Sequence, residues 1–130
     1  PVDNDYGSRR DFALAQWKLA SLYRRCVKKE LKVDGKWQEV NFYGQLGIKT
    51  YTAAEVAVRF TFELATQPVA VCTVTYTVNM EGAIKTELDY EKVAELPELP
   101  DFAMLFTLPA EYDRISFYGY GPADNYIDRQ

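Results

Sequence analysis

Between Val56 and Leu64 the residues alternate without a break: Val56, Val58, Phe60, Phe62 and Leu64 fall on one side, and Ala57, Arg59, Thr61 and Glu63 on the other. Successive side chains of an extended backbone point to opposite faces, so a sustained period of two marks a strand with one face on a core and one toward solvent. Gln67-Pro68 turns this run. The same period then returns, with Cys72, Val74, Tyr76 and Val78 opposed to Val71, Thr73, Thr75 and Thr77. Glu81-Gly82 turns the chain into Ile84 to Tyr90, where Ile84, Thr86, Leu88 and Tyr90 share a face. Short β-branched and aromatic runs joined by tight turns predict an antiparallel sheet or sandwich, and the chain is read as mainly β.

Upstream, Leu31 and Val33 precede Asp34-Gly35, a dipeptide that favours the positive φ of a two-residue hairpin, and Trp37 to Tyr43 resumes on the far side. Gly44 and Gly47 interrupt the next stretch, where a bulge is expected. Nearer the start, Ser8 resembles a helix cap with Asp11 in the first turn, and Arg9 to about Tyr23 predicts one N-terminal helix. Phe12, Ala15, Leu19 and Leu22 or Tyr23 would form its apolar stripe, widened by Ala13, Trp17 and Ala20, and Trp17 is read as packing. Toward the end, Phe102, Met104, Phe106 and Leu108 alternate with Ala103, Leu105 and Thr107 as a strand. Pro109 to Asp113 breaks it, Arg114 to Tyr118 reads as another strand, and Gly119, Gly121 and Pro122 form a turn.

The chain of 130 residues is 48% hydrophobic and 26% charged, which fits one domain burying roughly two-thirds of its unfolded surface. Its net charge of -4 argues against a nucleic-acid partner, since a phosphate backbone calls for a basic face. No stretch approaches the roughly 18 uninterrupted apolar residues of a membrane span, and PVDNDYGSRR lacks a basic-then-apolar export pattern. The segment is expected to be soluble and cytoplasmic, with export of a longer parent chain left open. Cys26 and Cys72 lack CxxC spacing and read as buried free thiols. Histidine is absent, which removes Ser-His and Cys-His nucleophile systems, histidine metal sites and histidine proton transfer. Asp3 and Asp5 imitate the start of an EF-hand loop, but Gly7 comes one place early and Leu14 stands where the bidentate Glu belongs, so no metal site is read. An Asx turn is one alternative there, and contact with substrate or another domain is the other. Gly119-x-Gly121 lacks the third Gly and the helix of a dinucleotide loop.

The wording near the end is more specific than its periodicity. Leu96 to Arg129 contains LPELPDFAM, FTLPAEYDR, FYGYGP and DNYIDR. It resembles the C-terminal β-sandwich domain, also called the small-chain domain, of glycoside hydrolase family 2 β-galactosidases, which carries LPELPRFGMxFxLPxxYDxxxWYGRGPxENYxDR. The chain departs at Asp101, Ala103, Phe117, Tyr120 and Asp124; the last two replace an Arg and a Glu beside the Gly-Pro turn. The start, PVDNDYG, resembles that family's RxPxDNDxG loop through Asp3, Asn4, Asp5 and Gly7, and WKLASLY resembles the WxxAGL segment that follows it.

The resemblance implies a partial domain over residues 1–130: an antiparallel β-sandwich of the galactose-mutarotase-like supersandwich type, carrying no catalytic residue itself. In the family the catalytic glutamates belong to a (β/α)8 barrel, which often uses Mg2+, so this chain is expected to hold no cofactor and to be inactive alone. A retaining glycosidase needs two carboxylates about 5 Å apart. Glu63, Glu81, Glu111 and Asp113 read as solvated rather than as such a pair. The implied partners are the remaining domains of the parent enzyme, its galactoside substrate and further copies of the chain. Asp3, Asn4, Asp5 and Gly7 would border the substrate, with Tyr6, Tyr118 and Tyr126 as the aromatics nearest the sugar. Two alternatives stand beside this: a free-standing carbohydrate-binding β-sandwich module and, by fold analogy alone, a mutarotase or epimerase.

Overall fold

In the computed structural model, which describes residues 14–41 and 52–118, five strands form one open antiparallel sheet in the order β2-β1-β3-β4-β5. The strands are β1 (Arg25–Val33), β2 (Lys36–Glu39), β3 (Glu55–Glu63), β4 (Val71–Asn79) and β5 (Ile84–Tyr90). The mainly β, antiparallel expectation therefore holds. Asp34 and Gly35 join β1 to β2 with φ of 51° and 77°, the left-handed pair that a two-residue hairpin needs to match the strand twist. Val33 then faces Lys36, Lys32 faces Trp37 and Glu30 faces Glu39. A bulge lies between Cys26 and Lys28 on β1, where Val27 is the extra residue. The bulge expected at Gly44 and Gly47 lies outside the described residues.

Register decides what each face carries. Leu31, Val58, Tyr76 and Thr86 run across one face, as do Cys26, Phe62, Cys72 and Tyr90. The opposite face carries Glu30, Arg59, Thr75 and Glu87 in one row and Lys32, Ala57, Thr77 and Lys85 in the next. The sheet is thus apolar on one side and charged on the other, as alternation in Val56 to Leu64 required. Phe60 lies 6.4 Å from Phe62 and 6.4 Å from Tyr76, centroid to centroid, so the apolar face is paved by aromatic contacts within the sheet itself.

Among the described residues, cover lies over one end of that face. Trp17, Ala20, Ala70 and Leu96 form a buried cluster with Leu14, Leu64, Tyr90, Val93 and Leu99 against it. The Trp17 ring meets the Tyr90 ring edge-on at 5.9 Å, and its indole N–H donates to the carbonyl of Pro97 at 3.2 Å. Trp17 is therefore packing, as its place in the sequence suggested; Cys72 is buried on the same side of the sheet, whereas Cys26, also expected to be buried, is only half-buried, beside the bulge on β1.

Two expectations are corrected. The helix placed over Arg9 to Tyr23 is, within the described residues, a 3-10 turn at Ala15–Lys18 followed by further turns. Among the described residues its supposed stripe is split: Leu19, Leu22 and Tyr23 are exposed while Trp17 and Ala20 are buried. A short helix draws most of its stability from burying such a stripe, so the segment instead takes the tight turn that drives Trp17 inward. The strands expected at Phe102 to Leu108 and Arg114 to Tyr118 are also absent; 101–118 makes no ladder with any described strand. Alternation had assigned faces correctly for a strand, but pairing needs a neighbour, and Leu105, Ile115 and Phe117 stand exposed. Pro109 to Asp113 does turn, with the Tyr112 N–H donating to the Pro109 carbonyl at 3.0 Å.

Thr66 fastens the turn between β3 and β4. Its buried hydroxyl donates to the carbonyl of Pro68 at 2.9 Å and accepts the Ala70 N–H at 3.0 Å, beneath the fully buried Ala70. Thr66→Val keeps the shape and strands that N–H, which is expected to cost about 1–2 kcal/mol in a urea unfolding experiment. A loss below the measurement error would show that water reaches the amide.

Candidate functional site

The most organised polar constellation lies on the charged face. Glu30, on the central stretch of β1, is buried. Its carboxylate accepts Arg59 Nε at 2.9 Å and Lys28 Nζ at 2.9 Å. The register brings Arg59 directly across from Glu30, and the hairpin brings Trp37 onto the same face. The Arg59 guanidinium lies 4.2 Å from the centre of the Trp37 ring, with Lys32 Nζ at 5.8 Å. Arg59 thus bridges a carboxylate and an aromatic face, using its planar fork for one and its flat surface for the other. Hydrogen bonds from Arg59, then Lys28, hold the Glu30 carboxyl below its ordinary value of 4.5. A general acid for glycoside cleavage needs the opposite shift. This cluster is structural chemistry.

The sequence did not single it out. Its signal lay in the hairpin: once Asp34-Gly35 sets Val33 against Lys36, Glu30, Lys32, Trp37 and Glu39 must share a face.

Of the residues expected near a sugar, Tyr118 lies fully exposed at the end of the described chain and meets no other ring among the described residues. Tyr6 and Tyr126, the loop residues Asp3, Asn4, Asp5 and Gly7, and the turn residues Gly119, Gly121 and Pro122 lie outside the described residues. The four carboxylates read as solvated are disposed accordingly. Glu63 pairs with Arg25 at 2.5 Å on the surface, and Glu81, Glu111 and Asp113 are exposed.

A shallow concavity of about 230 Å³, lined by Lys32, Asp34, Gly35, Ala53, Ala54, Glu55 and Ala57, sits where the hairpin meets the start of β3. It is smaller than ordinary ligand pockets, carries no aromatic wall, and so lacks what holds a sugar ring. Among the described residues no three or more His, Cys, Asp or Glu side chains gather as metal ligands. Nor is any described helix long and apolar enough to cross a membrane.

One open antiparallel sheet, charged on one face and apolar on the other, with its best-buried carboxylate held between two cations, defines a β module among the described residues. The chain belongs to the β-galactosidase small-chain family, whose match runs over residues 1–130. It is 35% identical to a β-galactosidase of Clostridium acetobutylicum, covering 98% of this chain and 12% of that protein. It is 32% identical to the β-galactosidase BgaC of Bifidobacterium adolescentis, covering 99% of this chain and 11% of the relative. A β-galactosidase small subunit of Latilactobacillus sakei is 29% identical over 98% of this chain and 41% of its own length. The chain thus spans about an eighth or less of the first two relatives. No solved structure matches it.

Proposed function

We propose that the chain is part of the C-terminal β-sandwich domain of a glycoside hydrolase family 2 β-galactosidase, a partial galactose-mutarotase-like supersandwich that supports and borders the active site of a separate barrel. The parent would hydrolyse terminal β-D-galactosides. The observation that carries this is the family match over residues 1–130 together with relatives named β-galactosidase that are many times longer than the chain. Among the described residues the sheet pairs a charged face with an apolar one that they cover only at one end, which suits a supporting role because apolar surface gains stability when more protein covers it.

In this reading Asp3, Asn4 and Asp5 supply hydrogen-bond acceptors for sugar hydroxyls, Gly7 lets the loop approach closely, and Tyr6, Tyr118 or Tyr126 offers a ring for stacking. The test uses the full-length parent enzyme. Asp3→Ala and Asn4→Ala are expected to lower kcat/KM for an aryl β-galactoside about tenfold or more each, the scale of one lost polar contact to a bound hydroxyl. Unchanged kcat/KM in both variants would remove the bordering role. Absence of β-galactosidase activity from the unsubstituted parent would remove the enzyme reading altogether.

A further inference from the structure

The Glu30 cluster leaves part of one cation turned outward. Glu30 meets Arg59 on its Nε side at 2.9 Å and takes Lys28 on its other oxygen, also at 2.9 Å, so each carboxylate oxygen already accepts a cation. The guanidinium is a planar fork of five N–H donors, and a carboxylate placed beside Nε leaves the far edge, Nη1 and Nη2, directed away from it. The Arg59 side chain is 33% exposed, which keeps that edge accessible. Its pose is fixed twice over, by Glu30 and by the Trp37 ring 4.2 Å away.

A second cation converges on the same ring. Lys32 Nζ lies 5.8 Å from the centre of Trp37. Arginine and lysine heads donate and never accept. The patch therefore carries a surplus of donors and of positive charge, with Lys28, Lys32 and Arg59 set against Glu30 and the exposed Glu39 opposite it. Space adjoins it as well. Lys32 and Ala57 both line the concavity of about 230 Å³, and Ala57 precedes Arg59 by two residues on the same face of β3, about 7 Å along the strand. Asp34 and Glu55 also line that space, so an anionic group belongs at its Arg59 end.

We propose that Arg59 and Lys32, gathered on the Trp37 ring, form a binding site for one oxyanion, a carboxylate, sulfate or phosphate group that takes the Nη1 and Nη2 edge of Arg59 in two parallel hydrogen bonds.

The class of ligand follows from the donors. Two parallel N–H groups of fixed spacing match two oxygens of one anionic group, whereas a sugar hydroxyl presents a single oxygen and no charge. Because Glu30 and Trp37 already hold the guanidinium, little side-chain freedom is lost on binding, and this separates Arg59 from an ordinary surface arginine. Two sources supply the chemistry: an Asp or Glu side chain from outside residues 1–130 of a longer parent protein, or a free oxyanion from solution.

The experiment is crystallography of the full-length protein soaked in selenate, which anomalous scattering locates, with Arg59→Met and Lys32→Met beside the wild type. A selenate within about 3 Å of Nη1 and Nη2, lost in Arg59→Met and weakened in Lys32→Met, supports the site with a free oxyanion as ligand. Lys32→Met guards against misfolding, since it leaves the bridge between Glu30 and Arg59 standing. In that case calorimetric titration with sulfate at constant ionic strength should show Arg59→Met weakening binding about tenfold or more, the scale of one charged hydrogen-bonded contact. An Asp or Glu carboxylate from outside residues 1–130 seated on the same edge supports the site with a ligand built into the parent. Water alone on that edge would overturn the proposal. So would a selenate peak indifferent to either substitution, an adventitious ion only, or one without measurable sulfate affinity, binding at crystal concentration only. None of these readouts uses galactosidase activity, so the site and the enzymatic reading can fail separately.

Discussion

Trp17→Ala is expected to destabilise the chain by about 3–5 kcal/mol, the usual range for deleting a buried aromatic side chain. Trp17 is the largest member of the cluster it forms with Ala20, Ala70 and Leu96, and the other three cannot expand into the space it leaves. Two further contacts go with it: the edge-on packing against Tyr90 and the hydrogen bond to the Pro97 carbonyl. Tyr90 in turn stacks at 6.1 Å on Phe102, so the loss reaches the start of the 101–118 segment. Against a total stability of roughly 5–15 kcal/mol for an ordinary domain, that is enough to unfold a large fraction of molecules at body temperature. Trp17→Phe separates the causes, since it keeps a ring against Tyr90 and removes only the N–H and part of the volume; about 1–2 kcal/mol is expected for it. Urea unfolding of both variants measures the difference. Equal, small losses in the two would mean that the 3-10 turn can repack, and that the sheet is held by its ladders alone.

What the sequence made legible follows from how far each signal depends on a partner. The period of two in Val56 to Leu64 and Val71 to Val78 needs only one buried face, and β3 and β4 are central strands with a neighbour on either side. Asp34-Gly35 encodes its own geometry, and the hairpin stands where it was expected. Phe102 to Leu108 alternates just as cleanly, yet a strand is defined by the strand beside it, and no described strand lies there. Helical spacing in Arg9 to Tyr23 misled for a related reason: it scores which residues could share a stripe, while among its described members Trp17 and Ala20 are buried and Leu19, Leu22 and Tyr23 are exposed. The Glu30 cluster was invisible because β1 reads RCVKKELKV, in which one glutamate among lysines looks like solvent-facing filler. Its meaning comes from Arg59, many residues away and adjacent only through the ladder. The residues proposed to border the sugar are legible as wording alone; of them only Tyr118 lies within the described part.

Glu30→Gln is expected to cost about 2–3 kcal/mol at pH 7, and the loss should fade as the pH falls. The carboxylate is held below its ordinary value of 4.5 by Arg59 and Lys28. A carboxyl with a depressed folded pKa binds fewer protons folded than unfolded, so its contribution is complete above the unfolded value and disappears as the pH drops through the folded one. Glutamine keeps the shape and never carries the charge. Wild-type and Glu30→Gln stabilities should therefore lie furthest apart near neutrality and converge in the acid range below 4.5. Arg59 is about one-third exposed and Lys28 nearly half, so water screens the pair and the cost stays below that of a fully buried ion pair. Arg59→Met tests the other side of the bridge. It should match Glu30→Gln if the ion pair dominates, because Lys28 alone then holds the carboxylate. It should exceed Glu30→Gln, and keep the excess at low pH, if the guanidinium stacked 4.2 Å from Trp37 is the larger contribution. Urea titrations of the three proteins at neutral and acid pH decide between them. A Glu30→Gln deficit that persists unchanged at pH well below 4.5 would show that the carboxylate's charge contributes nothing, and that Glu30 acts only by filling space beside Arg59 and Trp37.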